Sequence, residues 1–467
     1  MRCHMPYREE YDAMGKVLVP EDAYYGAQTQ RAVQNFSVSD LRFSPPFIRA
    51  LGMIKKHAAA VNRDLGLLKP GMAEAIMRAA QEVMEGKLDD HFVVDVFQTG
   101  SGTSTNMNAN EVIAGRANEI LAGKRGGKIP IHPNDHVNLG QSSNDVIPSA
   151  IHIAALLEIR GRLVPAMELL HEMLKEKREA FYKIRKIGRT HLQDAVPMTL
   201  GQEFSGYARQ VELDMERIRD TEKSLSELAL GGTAVGTGVN THPHFAAQVI
   251  GLVSEETGCD FKEAENHFAA QGGQDALMET SGALKTYGVS LVKIANDIRW
   301  LSSGPRCGLG ELSLPALQPG SSIMPGKVNP VIPEVVIQVA GQVIGNDAAI
   351  TFGAQAGNLE LNVMLPLMAH NILQSIHLLR AATMSFGEKC IKGISANVEK
   401  CASTLEQSLA LATAFVPAIG YDAAAALSKK AYEEKKTVRE VAVEEHVLPD
   451  QEIHRILDGM IGGKEKS

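Results

Sequence analysis

From Gly320 to Pro330 the chain reads Gly-Ser-Ser-Ile-Met-Pro-Gly-Lys-Val-Asn-Pro, which gathers reactive side chains where neither helix nor strand can persist. Pro and Gly fill six of the sixteen positions from Pro315 to Pro330, and that density predicts an irregular loop. Within it stand two hydroxyls, an ammonium and an amide: Ser321, Ser322, Lys327 and Asn329. Such groups can hold a carboxylate and move a proton. A solvated surface loop would have the same composition. A phosphate-binding loop is excluded, because five residues rather than four separate Gly320 from Gly326, and Val328 stands where a metal-binding Ser or Thr is required.

Further polar connections are Gln98–Thr103, His132–Asp135, Gln141–Asp145, Arg189–Asp194 and Gly231–Asn240. Pooled with the first loop they offer Thr103, Ser142, Ser143, Asn144, Thr190, His191, Ser321, Lys327, Asn329 and Glu334. That set contains an imidazole, a carboxylate that could orient it, a serine that could act as base and a fixed cation. It lacks a Gly-x-Ser-x-Gly nucleophile motif. The glycine run 231–240 is expected to join two helices with no preceding strand, so it does not read as a dinucleotide turn. Cofactor-free proton transfer on a small anionic molecule fits better than hydrolysis. The run 98–103, followed by Asn106, Asn108 and Asn110, reads as a turn that could present backbone N–H groups to an anion. His132 and His136 have a metal-ligand spacing, but Pro133 argues against a helical turn there, and His242 with His244 are too few; no metal is expected.

Loops of this kind need rigid elements to carry them. Apolar residues recur at helical spacing over 48–65, 71–84, 145–184 (with a bend at Gly161 and Pro165), 199–230, 275–301, 332–352 and 361–386. The last five imply an all-α protein built on an elongated bundle. Residues 335–344 are apolar on more than one face, which calls for burial between subunits and an obligate oligomer. Texture suggests three domains: 1–139, mostly α; 140–397, the long-helix bundle; and 398–467, a small, charged, helical domain.

With 467 residues and 44% apolar content the chain can bury a large core. Its net charge of −8 disfavours nucleic acid and anionic membranes as partners, so an anionic ligand must be attracted locally. Five widely spaced cysteines, Cys3, Cys259, Cys307, Cys390 and Cys401, read as free thiols. No uncharged run has membrane-spanning length, and residues 1–11 resemble neither a secretory nor a mitochondrial leader. The expectation is a cytoplasmic protein.

Gly320–Pro330 resembles the signature of the fumarase/aspartase superfamily. Tyr24–Arg31, Gln98–Thr103, His132–Asp135, Gln141–Asp145, Gly188–Ala195 and Gly231–Asn240 are each similar, in order and spacing, to its class II fumarate hydratase branch. The resemblance implies a three-domain, all-α homotetramer with a twenty-helix core. Each active site would be built from three chains and convert (S)-malate to fumarate and water with neither cofactor nor metal. By motif position, Ser321 resembles the base and His191, oriented by Glu334, the acid side. Lys327 and Asn329 resemble the binders of the carboxylate that gains charge, and Lys327 is also the expected stabiliser of Ser321. Ser101, Thr103, Ser142, Ser143, Asn144, Thr190 and Ser322 resemble further contacts to a small dicarboxylate substrate. His132, Asn134 and Asp135 resemble a secondary carboxylate site.

Two other readings stay open. Aspartate ammonia-lyases share the loop and the fumarate product; His191 and Ser143 favour the hydratase, because the lyases usually carry Gln and Thr there. Ala195–Leu200 and Pro333–Val336 read closer to the lyases, while Ala269 and Ser104-Thr105 depart from common fumarase residues. A non-catalytic superfamily member should have lost part of the inventory, yet Ser321, Lys327, Asn329, His191 and Glu334 are all present.

Overall fold

The computed structural model describes residues 6–462. It opens on an antiparallel hairpin, β1 (Tyr7–Asp12) and β2 (Gly15–Pro20), with Tyr7 opposite Pro20. Helices α1 (Ala27–Asn35), α2 (Pro45–Asp64), α3 (Pro70–Met84), α4 (Thr103–Ala122), α5 (Ser143–Glu158) and α6 (Val164–Ala180) follow. A second hairpin, β3 (Arg185–Thr190) and β4 (Gln193–Thr199), leads into α7 (Leu200–Asp220), α8 (Glu222–Leu225), β5 (Glu227–Leu228), α9 (Phe245–Thr257), β6 (Lys262–Glu263), α10 (His267–Gly272) and α11 (Asp275–Leu301). After β7 (Leu312–Ser313) come α12 (Val331–Ala354), the short ribbon β8 (Gly357–Asn358) with β9 (Leu361–Asn362), and α13 (Leu365–Lys389). The chain closes with β10 (Ser395–Ala396), α14 (Val398–Glu406), α15 (Val416–Ile419), α16 (Tyr421–Glu434), α17 (Val438–Glu444) and α18 (Asp450–Gly462). Every described strand belongs to a two-stranded ribbon, so helices carry the fold.

The chain divides into two compact units, one of residues 1–165, 216–288 and 340–380, the other of 166–215, 289–339 and 381–467. In the first, α2 and α3 each begin on proline, whose fixed φ and missing N–H suit a first helical turn. They bury Phe47, Leu51 and Ile54 with Ile76, Ala79 and Val83. In the second, Leu405, Leu411, Phe415, Leu427, Val441, Ile453 and Leu457 form a cluster of their own.

Several expectations change. Residues 103–122 form a twenty-residue helix, α4, rather than the continuation of a polar turn. Asn106, Asn108 and Asn110 lie buried inside it beside Val112 and Ile113; a helix buried on more than one side shows no apolar stripe, which hid it. The helix expected to reach residue 230 ends at Asp220. Thr221, Ser224 and Ser226 follow, and the hydroxyls of Thr221 and Ser226 bond nearby backbone carbonyls, which competes with helix propagation. The glycine run 231–240 therefore does follow a strand, the two-residue β5, paired in parallel with β6. Between α5 and α6 the expected bend is a π-helical turn, Ile159–Leu163, containing Gly161. Cys259, Cys307, Cys390 and Cys401 are free; Cys3 lies outside the described residues.

Among the described residues α12 is the one helix long and apolar enough to cross a membrane, although it carries Glu334 and Asp347. Only 33% of its most apolar window is buried, and Val335, Ile344 and Phe352 are exposed.

Glu111 of α4 fixes the start of α1. Its buried carboxylate accepts from the N–H groups of Gly26, Gln28 and Thr29 at 2.9, 3.0 and 3.0 Å, where the helix N-terminus favours negative charge. Glu111→Ala leaves three donors unpaired, and the expected cost is about 3 kcal/mol or more. It should be seen as an earlier thermal unfolding transition; an unchanged midpoint would show that another contact sets this corner.

Candidate active site

In the first unit two helix N-termini meet through their side chains. Thr103 opens α4 and Ser143 opens α5, and their hydroxyls lie 2.9 Å apart, with Ser101 Oγ 2.8 Å from Thr103 Oγ1. Helix N-termini present unpaired N–H groups and partial positive charge, so the three hydroxyls sit where an anion is favoured. Ser142 caps α5 in a capping box: its Oγ accepts from Asn144 N at 3.2 Å, and Asp145 Oδ1 accepts from Ser142 N at 2.9 Å.

Asp145 does more than cap. Its Oδ2 accepts from Gly231 N and Thr233 N at 3.0 and 3.1 Å, and Asn144 Nδ2 donates to Ala234 O at 2.8 Å. Burial pushes the Asp145 carboxyl up from its ordinary range, and the N–H groups of Ser142, Gly231 and Thr233 oppose that shift. Thr233 holds a left-handed φ of 53°, with its carbonyl taken by Gln271 Nε2 at 2.7 Å. Gly100 is required for a different reason: a Cβ there would stand 1.8 Å from Val363 O.

The stretch from His132 also lies in this unit. Pro133–Val137 does form a helical turn, of π type, because proline is tolerated at a first helical position. His132 Nδ1 accepts from Asn134 N and Asp135 N, both at 3.2 Å. Those bonds assign the ring hydrogen to Nε2, so the 3.4 Å approach of Asp135 to Nδ1 is not an ion pair in this tautomer.

In the second unit the loop 320–330 is tied at its neck. Gly320 N donates to Lys327 O at 2.7 Å and Asn329 Nδ2 to Gly320 O at 2.8 Å, while Lys327 Nζ donates to Asn329 Oδ1 at 2.8 Å. Ser321 Oγ accepts from Ile323 N and Met324 N at 3.2 and 3.0 Å. Two N–H groups aimed at a serine oxygen are what a developing alkoxide requires. Lys327 was expected in that role, and its ammonium is engaged by Asn329 instead. Ser322, Ile323 and Lys327 are exposed.

Thr190 and His191 stand at the tip of the β3–β4 hairpin. His191 and Leu192 form its two-residue turn with φ of 58° and 59°, the left-handed pair that matches hairpin twist at some cost for non-glycine residues. That hairpin is held along β3 by ion pairs: Arg189 Nη2, beside the tip, lies 2.6 Å from Glu311 Oε1, and Lys186 Nζ, near the open end, lies 3.3 Å from Glu311 Oε2 and 3.1 Å from Glu203 Oε2. Lys186 and Glu311 are buried, so neither charge has solvent as an alternative partner. Glu334 lies in the first turn of α12. Among the described residues of this unit, His191, Ser321 and Glu334 make no hydrogen bond to one another. No group of three or more His, Cys, Asp or Glu is arranged to hold a metal among the described residues.

Sequence reasoning named every hydroxyl of the first cluster but assigned nothing to Asp145 or Glu311. The Ser142-x-x-Asp145 capping-box spacing could have found the first. Nothing local marks Glu311, which acts across more than a hundred residues.

Known proteins share both sequence and fold with this chain. The family model described as "Lyase" matches residues 15–345, and that described as "Fumarase C C-terminus" matches 411–460. The class II fumarate hydratase of Halobacterium salinarum is 56% identical over 97% of this chain and 96% of its own length. The mitochondrial fumarate hydratase of Homo sapiens is 54% identical over 95% of this chain and 87% of its own. The crystal structure of class II fumarase from Schistosoma mansoni superposes with a TM-score of 0.96, at 41% identity, covering 99% of this chain and all of that one. The likeness spans the loops whose geometry is described above, and by it the chain belongs to the lyase family, in the class II fumarate hydratase branch.

Proposed function

We propose that the chain catalyses the reversible hydration of fumarate to (S)-malate, an anti addition through an aci-carboxylate intermediate. The observation that carries this reading is the geometry of Ser321, whose oxygen is held by two backbone N–H groups in a loop that also carries Lys327 and Asn329. In the malate-to-fumarate direction Ser321 removes the proton from the carbon beside one carboxylate. That carboxylate gains a second negative charge, which Lys327 and Asn329 neutralise and hydrogen-bond. His191, oriented by Glu334, donates the proton with which the hydroxyl leaves as water. The hydroxyls of Ser101, Thr103, Ser142, Ser143, Thr190 and Ser322, with Asn144, hold the dicarboxylate; His132, Asn134 and Asp135 form a secondary carboxylate site.

The working form is a homotetramer in which each site draws on three chains. Two features support this: α12 leaves Val335, Ile344 and Phe352 exposed, and His191 and Glu334 have no bond to each other within one chain. Buried between copies, the apolar face of α12 gains roughly 25 cal/mol per Å².

Purified protein given malate or aspartate in turn, with fumarate followed by ultraviolet absorbance, should respond to malate alone. A response to aspartate alone would make it an ammonia-lyase, and a response to neither would leave a binding protein. Asn329→Ala should lower turnover by about two to three orders of magnitude, the worth of one preorganised donor at the developing charge; unchanged turnover would remove Asn329 from the chemistry. Ser321→Ala should fold and assemble normally and lose most activity, and a variant as active as the parent would exclude Ser321 as base.

A further inference from the structure

A buried cation lies beneath the hydroxyl cluster of the first unit. Lys55 of α2 has no solvent exposure, and its ammonium donates to Asn138 Oδ1 and Gln141 Oε1, both at 2.9 Å. Asn138 Oδ1 also accepts from Asn106 Nδ2 at 3.2 Å and Asn110 Nδ2 at 3.1 Å, so one oxygen joins α2 to two successive turns of α4. Asn138 Nδ2 returns to Gln141 O at 3.1 Å, and Gln141 Nε2 bonds Val137 O and Leu139 O at 3.1 and 3.2 Å. Asn62, two helical turns beyond Lys55, donates to the same Leu139 carbonyl at 3.0 Å. Gln141 is followed directly by Ser142, cap of α5, and the helix held by Asn106 and Asn110 begins at Thr103.

We propose that Lys55 is a positioning residue for the substrate-binding hydroxyls: its ammonium locks the 138–141 turn against α4 and so sets where Thr103 and Ser142–Asn144 stand. This rests on the reading that those hydroxyls hold the dicarboxylate. Geometry is the first support, since the two acceptors of Lys55 both lie in the turn that delivers Ser142. Cost is the second. Burial pushes the Lys55 ammonium down to about 7, with the Asp145 carboxylate pulling the other way. A methionine would fill the same space without that desolvation penalty, at the cost of leaving Gln141 Oε1 without its donor. What an apolar chain cannot do is hold two amide oxygens at once, and hydrogen bonds from a cation are the stronger kind. The amine is therefore retained for placement, since in either charge state it carries the N–H groups that hold both amide oxygens.

Lys55→Met in the full chain separates these roles. A positioning residue for ground-state binding groups should raise KM for fumarate by about tenfold or more while kcat stays within about threefold, since the proton-moving groups are not displaced. Oligomer size should match the parent, and the thermal midpoint should fall only modestly, because Gln141 Oε1 loses its donor while Asn138 Oδ1 keeps Asn106 and Asn110. KM within about twofold of the parent, or a fall in kcat with KM unchanged, would overturn the proposal. Should Lys55→Met fail to fold, Gln141→Leu removes one acceptor and leaves the lysine; it must also raise KM, and an unchanged KM overturns the assignment. If the parent protein shows no fumarate–malate activity, the earlier functional reading falls while Lys55 is still testable. Amide hydrogen exchange over residues 138–145 should then be faster in the Lys55→Met protein, and equal exchange would refute the positioning role.

Discussion

The buried carboxylate of Asp145 is the interaction on which the first unit's candidate site depends. One oxygen closes the capping box that starts α5, and the other collects two backbone N–H groups from the 231–234 turn. An unpaired buried N–H is costly, and this carboxylate is the acceptor for three of them. By satisfying three donors from two distant stretches, a single side chain converts two loops into one surface, and on it Ser142, Ser143 and Asn144 acquire fixed positions. Glu311 plays the corresponding part in the second unit, where Arg189 and Lys186 converge on it and hold the hairpin whose tip is His191. In both units the groups read as touching substrate sit in loops or at the ends of helices and strands, and a fully buried acid ties a segment that carries them.

This division of labour explains how a chain of net charge −8 can attract a dianion. On the proposed reading local fields do it: in the first unit the abutting N-termini of α4 and α5 supply partial positive charge and hydroxyl donors, and in the second Lys327 supplies an ammonium on an exposed loop. The same loop provides Ser321 with two N–H donors from its own backbone. If Ser321 is the base proposed above, its alkoxide would meet donors that need no reorganisation during proton transfer.

The legible part of the molecule was the part with strong periodicity or concentrated chemistry. Helix α11 was read to the residue and α12 and α13 to within a few, because their apolar spacing is long and unbroken. The candidate site residues stood out as types in loops, and the resemblance supplied the roles proposed for them. Helix α4 was not, since burial on several sides with asparagines inside leaves no stripe to read. The two-residue β5 was hidden by its brevity, and the turn at Pro133 by an over-strict reading of proline. The hubs Glu311 and Lys55 escaped notice because each works through partners far away in sequence, and a buried charged residue looks in sequence like a solvated one; of Asp145 only the capping role was written locally.

In the proposed tetramer one site combines a proton-accepting serine loop with a histidine hairpin from another copy of the chain. Complementation distinguishes this arrangement from a site within a single chain. His191→Asn and Ser321→Ala proteins, each inactive alone, are unfolded, mixed and reassembled, and malate dehydration is measured. If the two groups come from different chains, random reassembly restores roughly a quarter of the sites and activity returns. If mixed assemblies form and remain as inactive as their parents, both groups act from the same chain and the account of a shared site is wrong.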